Sequence, residues 1–425
     1  LNKIFPIKSD TACLLKWAWS TIFLSIGKTS SCHRVDHDIL TLDTFDTFHN
    51  TPRKLDTREL MQKGKWPEQG CEYCRKIEDS GGTSDRQFQL EAMQYDIPPE
   101  LMRNPTANKV TPTILEVYFN NTCNMSCLYC GPHFSSVWEA ENTKHGLFRH
   151  NTVGLLPSDH VSFNTNYDKM LEKFWEWMKN NAKHLGHFHV LGGEPFHQKE
   201  LEQCIDFFED YGCPNLTFVI VSNLKVDHNK FKIMIDRLLK LKSEKKLKAV
   251  QISGSLDTWG PEAEYIRWGL NLNEFETNMR YLLDKDITIC INAAINALSI
   301  KSMPQYIRKI GEWNKIRLNH WNNDPYRKIV QSFMTINYPL YLKPDIFDET
   351  LFTEDFKEIL ALMHPFENDS DYVKQSYEHL IGIEKQIRLN PKNSGLISDL
   401  KVFLDEMDRR RGTNWRTLFP WLELQ

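Results

Sequence analysis

From Thr113 onward, apolar runs of strand length alternate with stretches of helical periodicity. The strand-like runs are Ile114–Phe119, Phe188–Leu191, Leu216–Val221, Ala249–Ser253 and Ile287–Ala293. Between and after them, apolar side chains recur every three to four residues over Tyr167–Lys179, Lys199–Asp210, Lys230–Leu241, Asn273–Leu283 and Met303–Trp313. That spacing places one apolar stripe on each helix. Alternation of this kind predicts an α/β fold with a parallel sheet and crossover helices. A sixth strand near Ile329–Ile336 would complete a partial (β/α)6 barrel, whose chemistry gathers at the carboxyl ends of the strands.

The flanks read differently. Trp17–Leu24 is rich in aromatic and β-branched residues, and Gly27-Lys28 follows as a turn, which predicts a β-hairpin near the N-terminus. After Gly81-Gly82, Ser84 caps a predicted helix start, and Pro98-Pro99 with Pro105 mark a linker. Beyond about residue 338, Pro339, Pro344 and Pro365 punctuate the chain, and helices are predicted over Asp355–Met363, Asp371–Leu389 and Leu396–Arg410. The last ends in Arg409-Arg410-Arg411-Gly412, which suits a helix C-terminus, with the arginines on a solvated face. Phe419, Trp421 and Leu422 are expected to anchor the tail. The division is an N-terminal unit over 1–100, a barrel over 101–340 and a helical extension over 341–425.

Cysteine spacing adds the chemistry. Cys123, Cys127 and Cys130 stand at C-x3-C-x2-C directly after the first barrel strand. Thiolates are the usual ligands of iron–sulfur clusters. Three ligands for a four-iron cubane leave one iron open for chemistry, whereas structural zinc loops pair two C-x2-4-C elements. Four more cysteines precede them. The hairpin is expected to bring Cys13 and Cys32 together across its strands, and Cys71 and Cys74 add a C-x2-C pair. Four thiolates suit a closed site that could hold iron or zinc. Cys204, Cys213 and Cys290 lack ligand spacing and read as buried thiols. His187-Phe188-His189, with His184 and His197 nearby, has no evident third ligand and reads as barrel wall or surface.

The motif with Tyr129 inside it resembles the signature of the radical S-adenosylmethionine (SAM) superfamily. The N-terminal C-x9-15-G-x4-C element followed by C-x2-C resembles the twitch, or truncated SPASM, unit, here placed ahead of the barrel instead of after it. The resemblance implies a 4Fe–4S cluster on Cys123, Cys127 and Cys130 whose open iron binds SAM. It also implies an auxiliary 4Fe–4S cluster on Cys13, Cys32, Cys71 and Cys74. Gly192-Gly193-Glu194 after the second strand is similar to the family element that meets the SAM ammonium group. Ser255-Leu256-Asp257 after the fourth resembles the S-[IL]-D element that meets the ribose or carboxylate. Arg267 falls where relatives place an arginine for the methionine carboxylate, although an exposed helix arginine has the same sequence appearance. Ser222 ends the third strand, and Asn292 and Asn296 border the site end on the fifth; the resemblance implies an adenine contact for either one. The activity implied is reductive cleavage of SAM to a 5′-deoxyadenosyl radical that abstracts hydrogen from a substrate. A peptide or protein side chain is the leading substrate class, and a sugar or nucleoside is the alternative. A ferredoxin- or flavodoxin-type donor would supply the electron. A zinc-braced scaffold is the non-enzymatic reading.

Composition narrows this further. Of the 425 residues, 41% are hydrophobic and 25% charged, ordinary for a globular chain with a sizeable core. A net charge of −4 argues against nucleic acid as a partner, and the basic cluster Lys242–Lys248 reads as a solvated helix end. No apolar run reaches membrane-spanning length, so no membrane partner is expected. Leu14–Ile26 has the hydropathy of a signal-peptide core, but Lys16 interrupts it and no small-residue cleavage site follows. Ten cysteines without such a leader point to metal or redox use in the cytoplasm.

Overall fold

The structure is a computed structural model that describes residues 11–425 except 34, 69, 80–83, 85, 88–108, 150–160, 337, 349 and 367–370. Gly81-Gly82, Pro98-Pro99 and Pro105 lie outside the described residues.

Among the described residues, nine strands form a single sheet in the order β3-β2-β1-β4-β5-β6-β7-β8-β9. The six strands β4 (Ile114–Tyr118), β5 (His187–Leu191), β6 (Cys213–Ser222), β7 (Leu247–Ser255), β8 (Thr288–Ile295) and β9 (Val330–Thr335) are parallel and neighbour one another in chain order. Each predicted barrel strand falls on one of these six. The crossovers carry the helices α2 (Ser136–His145), α3 (Tyr167–Asn181), α4 (Lys199–Tyr211), α5 (His228–Ser243), α6 (Leu272–Leu282) and α7 (Met303–His320), while α1 (Pro52–Gln62) precedes the barrel. This is a partial (β/α)6 barrel.

Alternation along the strands sorts the side chains between two faces. Leu115, Val117, Phe188, Val190, Phe218, Ile220, Val250, Ile252, Ile289 and Ile291 are buried in one core with helix residues such as Phe174, Ile205, Leu238 and Met279. The intervening positions Glu116, His189, Gln251, Ser253, Cys290 and Asn292 line the other face. The interior of the barrel is therefore polar on several strands, which suits a site and not only a packed core.

The N-terminal hairpin is present but is not a separate sheet. Strands β1 (Trp19–Phe23) and β2 (Lys28–Ser30) are antiparallel, with Gly27 at φ +60° in the turn, and β3 (Asp38–Ile39) extends them. Strand β1 also pairs in parallel with β4, from Trp19↔Ile114 to Phe23↔Tyr118. Ile22, Leu24, Phe45 and Phe48 belong to the barrel's own core. The expected placement of the first two cysteines needs correction. Cys13 precedes a helical turn over Leu15–Ala18, and Cys32 lies two residues past β2, so neither sits on a paired strand.

After β9 come α8 (Thr353–Met363), α9 (Asp371–Leu389) and α10 (Ser394–Arg411). Helix α9 packs on β9, where Ser376 Oγ donates to Gln331 O at 2.7 Å. Among the described residues, no helix is long and apolar enough to cross a membrane.

Candidate functional site

The cysteine loop leaves the carboxyl end of β4 and is tied down on three sides. Ser126 N donates to Trp268 O at 2.9 Å and Leu128 N to Ile266 O at 2.8 Å. Glu194 N donates to Thr122 O at 2.8 Å, which links the glycine-rich turn after β5 to the start of the loop. Asn124 Nδ2 donates to Lys225 O at 2.7 Å, and Asn223 Nδ2 to Asn124 Oδ1 at 2.8 Å, beyond β6. Three strand ends thus hold Cys123, Cys127 and Cys130 together.

The three thiols sit close enough to affect one another. Burial pushes Cys123 up to about 12, with the neighbouring Cys127 adding to the rise. Cys130 is raised by burial and then by Cys127 and Cys123. Cys127 is raised by burial, against the pull of the Arg267 and Arg411 cations. None of the ten cysteines forms a disulfide. Among the described residues, no three Cys, His, Asp or Glu side chains already stand in the arrangement of a metal's ligands.

Arg267 is buried beside this loop. It follows the helical turn Pro261–Ile266, and its Nη1 donates to Tyr129 Oη and lies 3.5 Å from Asp257 Oδ1. Tyr129 Oη in turn donates to Asp257 Oδ2 at 2.6 Å, and Ala294 N donates to Asp257 Oδ1 at 3.0 Å. Burial opposes the guanidinium charge, but Cys127, Tyr129 and Asp257 hold its pKa well above the ordinary value. Among the described residues, its Nε is buried without a hydrogen-bond partner. Such an orphan donor is costly in a closed interior. An anionic ligand beside the thiols would satisfy it. Three neighbouring thiols together with a buried cation that still has a donor to spend therefore fit a thiolate-bound cluster with an anionic co-ligand.

The other expected contacts divide. Gly192 and Gly193 take φ of +83° and +60°, and a Cβ on Gly193 would stand 2.3 Å from Thr122 O. Gly193 thus serves the close approach of two loops, and Gly192 that of the turn to the Tyr118 ring on β4. Glu194 is fully buried, and its carboxylate accepts from Asn223 N at 2.7 Å, Ser222 Oγ at 2.8 Å and Phe196 N at 3.2 Å. Burial pushes its pKa up to about 7 against those three donors. Both Glu194 and Ser222 are engaged inside the protein. Asn296 is likewise engaged, accepting from Leu298 N at 3.1 Å and donating to Ala294 O at 2.9 Å. Ser255 is half-buried and faces Asn292 across β7–β8.

The N-terminal thiols also share one neighbourhood. Cys13 is pushed up to about 12 by burial and also senses Cys32 and Cys71. Arg86 senses Cys13 and Cys74. A buried and a half-buried cation accompany them. Lys16 donates to Ser31 Oγ at 3.4 Å, and Arg86 pairs with Glu78 and covers the Trp66 ring at 4.8 Å. Lys16, which reads in sequence as a break in an apolar run, is this buried charge.

Several participants had no motif to announce them. Glu116 on β4 is a buried carboxylate that accepts from Thr21 Oγ1 at 2.7 Å and pairs with His33 Nε2 at 2.9 Å. His189 lies beside it, held down to about 4 by burial, so it is neutral there. Arg410 and Arg411, expected on a solvated face, have side chains only 1% and 3% exposed. A cavity of about 410 Å³ opens next to Tyr129 and Cys130, walled by Phe134, Trp138, Tyr341 and Phe403.

No family model matches the chain, and no curated protein matches it. The solved structures that resemble it include the following three. Streptococcus suis SuiB bound to precursor peptide SuiA has 14% identity and a TM-score of 0.38, covering 81% of this chain and 70% of that one. Streptococcus suis SuiB alone has 12% identity and a TM-score of 0.34, covering 70% and 68%. TYW1 with a lysine-pyruvate adduct bound has 15% identity and a TM-score of 0.28, covering 59% and 70%. At these scores none of them decides the activity of this chain, whose case rests on its own residues.

Proposed function

We propose that the chain is a radical SAM enzyme. The observation that carries this is the buried Arg267, whose Nε has no partner among the described residues, set against the Cys123, Cys127 and Cys130 loop at the carboxyl ends of parallel strands. The 4Fe–4S cluster and SAM, when bound, supply the reductive cleavage that yields a 5′-deoxyadenosyl radical and hydrogen abstraction. The protein's share is positioning. Cys123, Cys127 and Cys130 would hold the cluster and supply three of its ligands. Arg267 offers a planar fork to a carboxylate. Asp257 keeps Arg267 and Tyr129 in place. Gly193 lets the glycine turn reach the cysteine loop, and Glu194 pins that turn to the end of β6 through Ser222 and Asn223.

Cys13, Cys32, Cys71 and Cys74 hold an auxiliary 4Fe–4S cluster in this reading, with Lys16 and Arg86 balancing its negative charge. The division near residue 100 separates the two cysteine sets along the chain. The electron comes from a ferredoxin- or flavodoxin-type donor. The substrate is a peptide or protein side chain, with a sugar or nucleoside as the alternative, and transfer of deuterium from labelled candidates into 5′-deoxyadenosine discriminates between them.

Metal analysis after anaerobic reconstitution tests the assignment. About eight irons per chain are expected, from two four-iron clusters. Replacing Cys71 and Cys74 with Ala removes about half of them. Tightly bound zinc at that set would overturn the auxiliary cluster.

A further inference from the structure

Helix α10 belongs to the C-terminal extension, yet its last turn reaches the cysteine loop. Gly412, at φ +69°, ends the helix with its N–H on Asp408 O. Immediately before it, Arg411 Nη2 donates to Ser126 O at 3.0 Å and to Ser126 Oγ at 3.2 Å. The same guanidinium pairs with Glu141 at 3.2 Å, and it lies over the Trp138 and Trp268 rings at 4.9 and 5.7 Å. Each of those neighbours is itself bonded to the loop. Trp138 Nε1 donates to Cys127 O at 2.8 Å, Trp268 O accepts from Ser126 N at 2.9 Å, and Ser126 Oγ donates to Glu141 at 3.0 Å. Arg410 adds a second tie, donating to Gly146 O at 2.8 Å beyond α2. Asp408 holds the other side by accepting from Tyr265 Oη at 2.9 Å, two residues before Arg267.

We propose that Arg411 is a positioning residue of the cysteine loop, and that the C-terminal helix is a structural part of the cluster site. The proposal rests on the radical SAM reading of Cys123, Cys127 and Cys130. Arg411 does two things. Its fork fixes the Ser126–Cys127 backbone, so the middle thiol of the three faces its partners. Its charge sits on a buried side chain bonded one residue before Cys127, so it acts on the negative charge the site carries with little screening. Glu141 orients the fork. When Arg411 is removed, Glu141 remains as an uncompensated anion beside the site.

Two variants separate the effects. Arg411→Gln removes charge and fork, while Arg411→Lys keeps charge and loses the planar fork. Iron release from the reconstituted holoprotein is followed with a chelator, and the midpoint potential of the SAM-binding cluster is read by EPR titration in a Cys71→Ala/Cys74→Ala background. Arg411→Gln is expected to release this cluster about tenfold faster, the factor given by one charge-assisted hydrogen bond of about 1.4 kcal/mol. It also shifts the potential to more negative values, and the added substitution Glu141→Gln brings the potential back while leaving release fast. Arg411→Lys releases faster with little change in potential. A helix that merely stabilises the fold would leave the potential unmoved. Release rate and potential both unchanged in Arg411→Gln would overturn the proposal. If the parent itself takes up no iron, the cluster reading has failed and the proposal falls with it. If the parent is loaded and the variant matches it, only the role of Arg411 has failed.

Discussion

Replacing Gly193 with Ala isolates the contact that joins the glycine turn to the cysteine loop. The added Cβ would stand 2.3 Å from Thr122 O and 2.6 Å from Gln198 Nε2. Cβ contacts below 3.0 Å essentially never occur, so the Thr122 carbonyl must retreat by about 0.7 Å or more. That carbonyl accepts from Glu194 N and immediately precedes Cys123. The left-handed backbone costs an alanine about 1–2 kcal/mol. Overpacking against a carbonyl that can move adds about 1–3 kcal/mol. Gly64 supplies the control, because it has φ +71° with nothing within 4 Å of its would-be Cβ. Gly64→Ala therefore pays the conformational term alone. Urea denaturation of both variants should show Gly193→Ala less stable than Gly64→Ala by about 1–3 kcal/mol, and only Gly193→Ala should load less iron. Equal stability and equal loading would refute the claim that this glycine is required by the close approach.

Further outcomes follow from the same site. Arg267→Lys keeps a cation but loses the fork that reaches Tyr129 and Asp257, so SAM binding measured by equilibrium dialysis should weaken about tenfold or more; an unchanged Kd contradicts the carboxylate assignment. Two buried groups give opposite pH slopes. His189, depressed to about 4, stays neutral in the folded state while the unfolded chain takes up a proton below its ordinary pKa. Its contribution is fully present above about 6.5 and is lost as pH falls toward 4. Glu194, raised to about 7, binds its proton more tightly when folded, so its contribution is present below about 4.5 and is lost as pH rises toward 7. In the metal-free protein, His189→Gln should therefore remove a rising component of stability between those limits, and Glu194→Gln a falling one. Parallel stability–pH curves for both variants and the parent would contradict the assignments.

The sequence makes some of this legible and hides the rest for identifiable reasons. The barrel strands are visible because each carries an apolar run on the helix-facing side, and the expected Ile329–Ile336 strand appears as Val330–Thr335. The pairing of β1 with β4 is not visible, because nothing in Trp19–Phe23 encodes a partner nearly a hundred residues away. Motif spacing locates the cysteine loop but does not orient side chains: Glu194 spends its carboxylate on Asn223 N, Phe196 N and Ser222 Oγ, and Asn296 spends its amide on loop backbone. Buried cations are the least legible. Lys16 looked like an interruption, and Arg410 and Arg411 looked solvated, because long charged chains usually are. Their partners come from folding: Arg411 meets Ser126 across 285 positions of sequence. The reverse held for Arg267, where an exposed helix arginine would look the same, and burial beside Cys127 and Asp257 gives it a role.

The central claim is that Cys123, Cys127 and Cys130 hold the cluster that cleaves SAM, and 5′-deoxyadenosine formation tests it most directly. The reconstituted protein, given SAM and a strong reductant without oxygen, is expected to release 5′-deoxyadenosine and methionine. The Cys123→Ala/Cys127→Ala/Cys130→Ala variant, with the N-terminal cysteines intact, is expected to release none. Continued SAM cleavage by that variant, or none by the iron-loaded parent, would contradict the account.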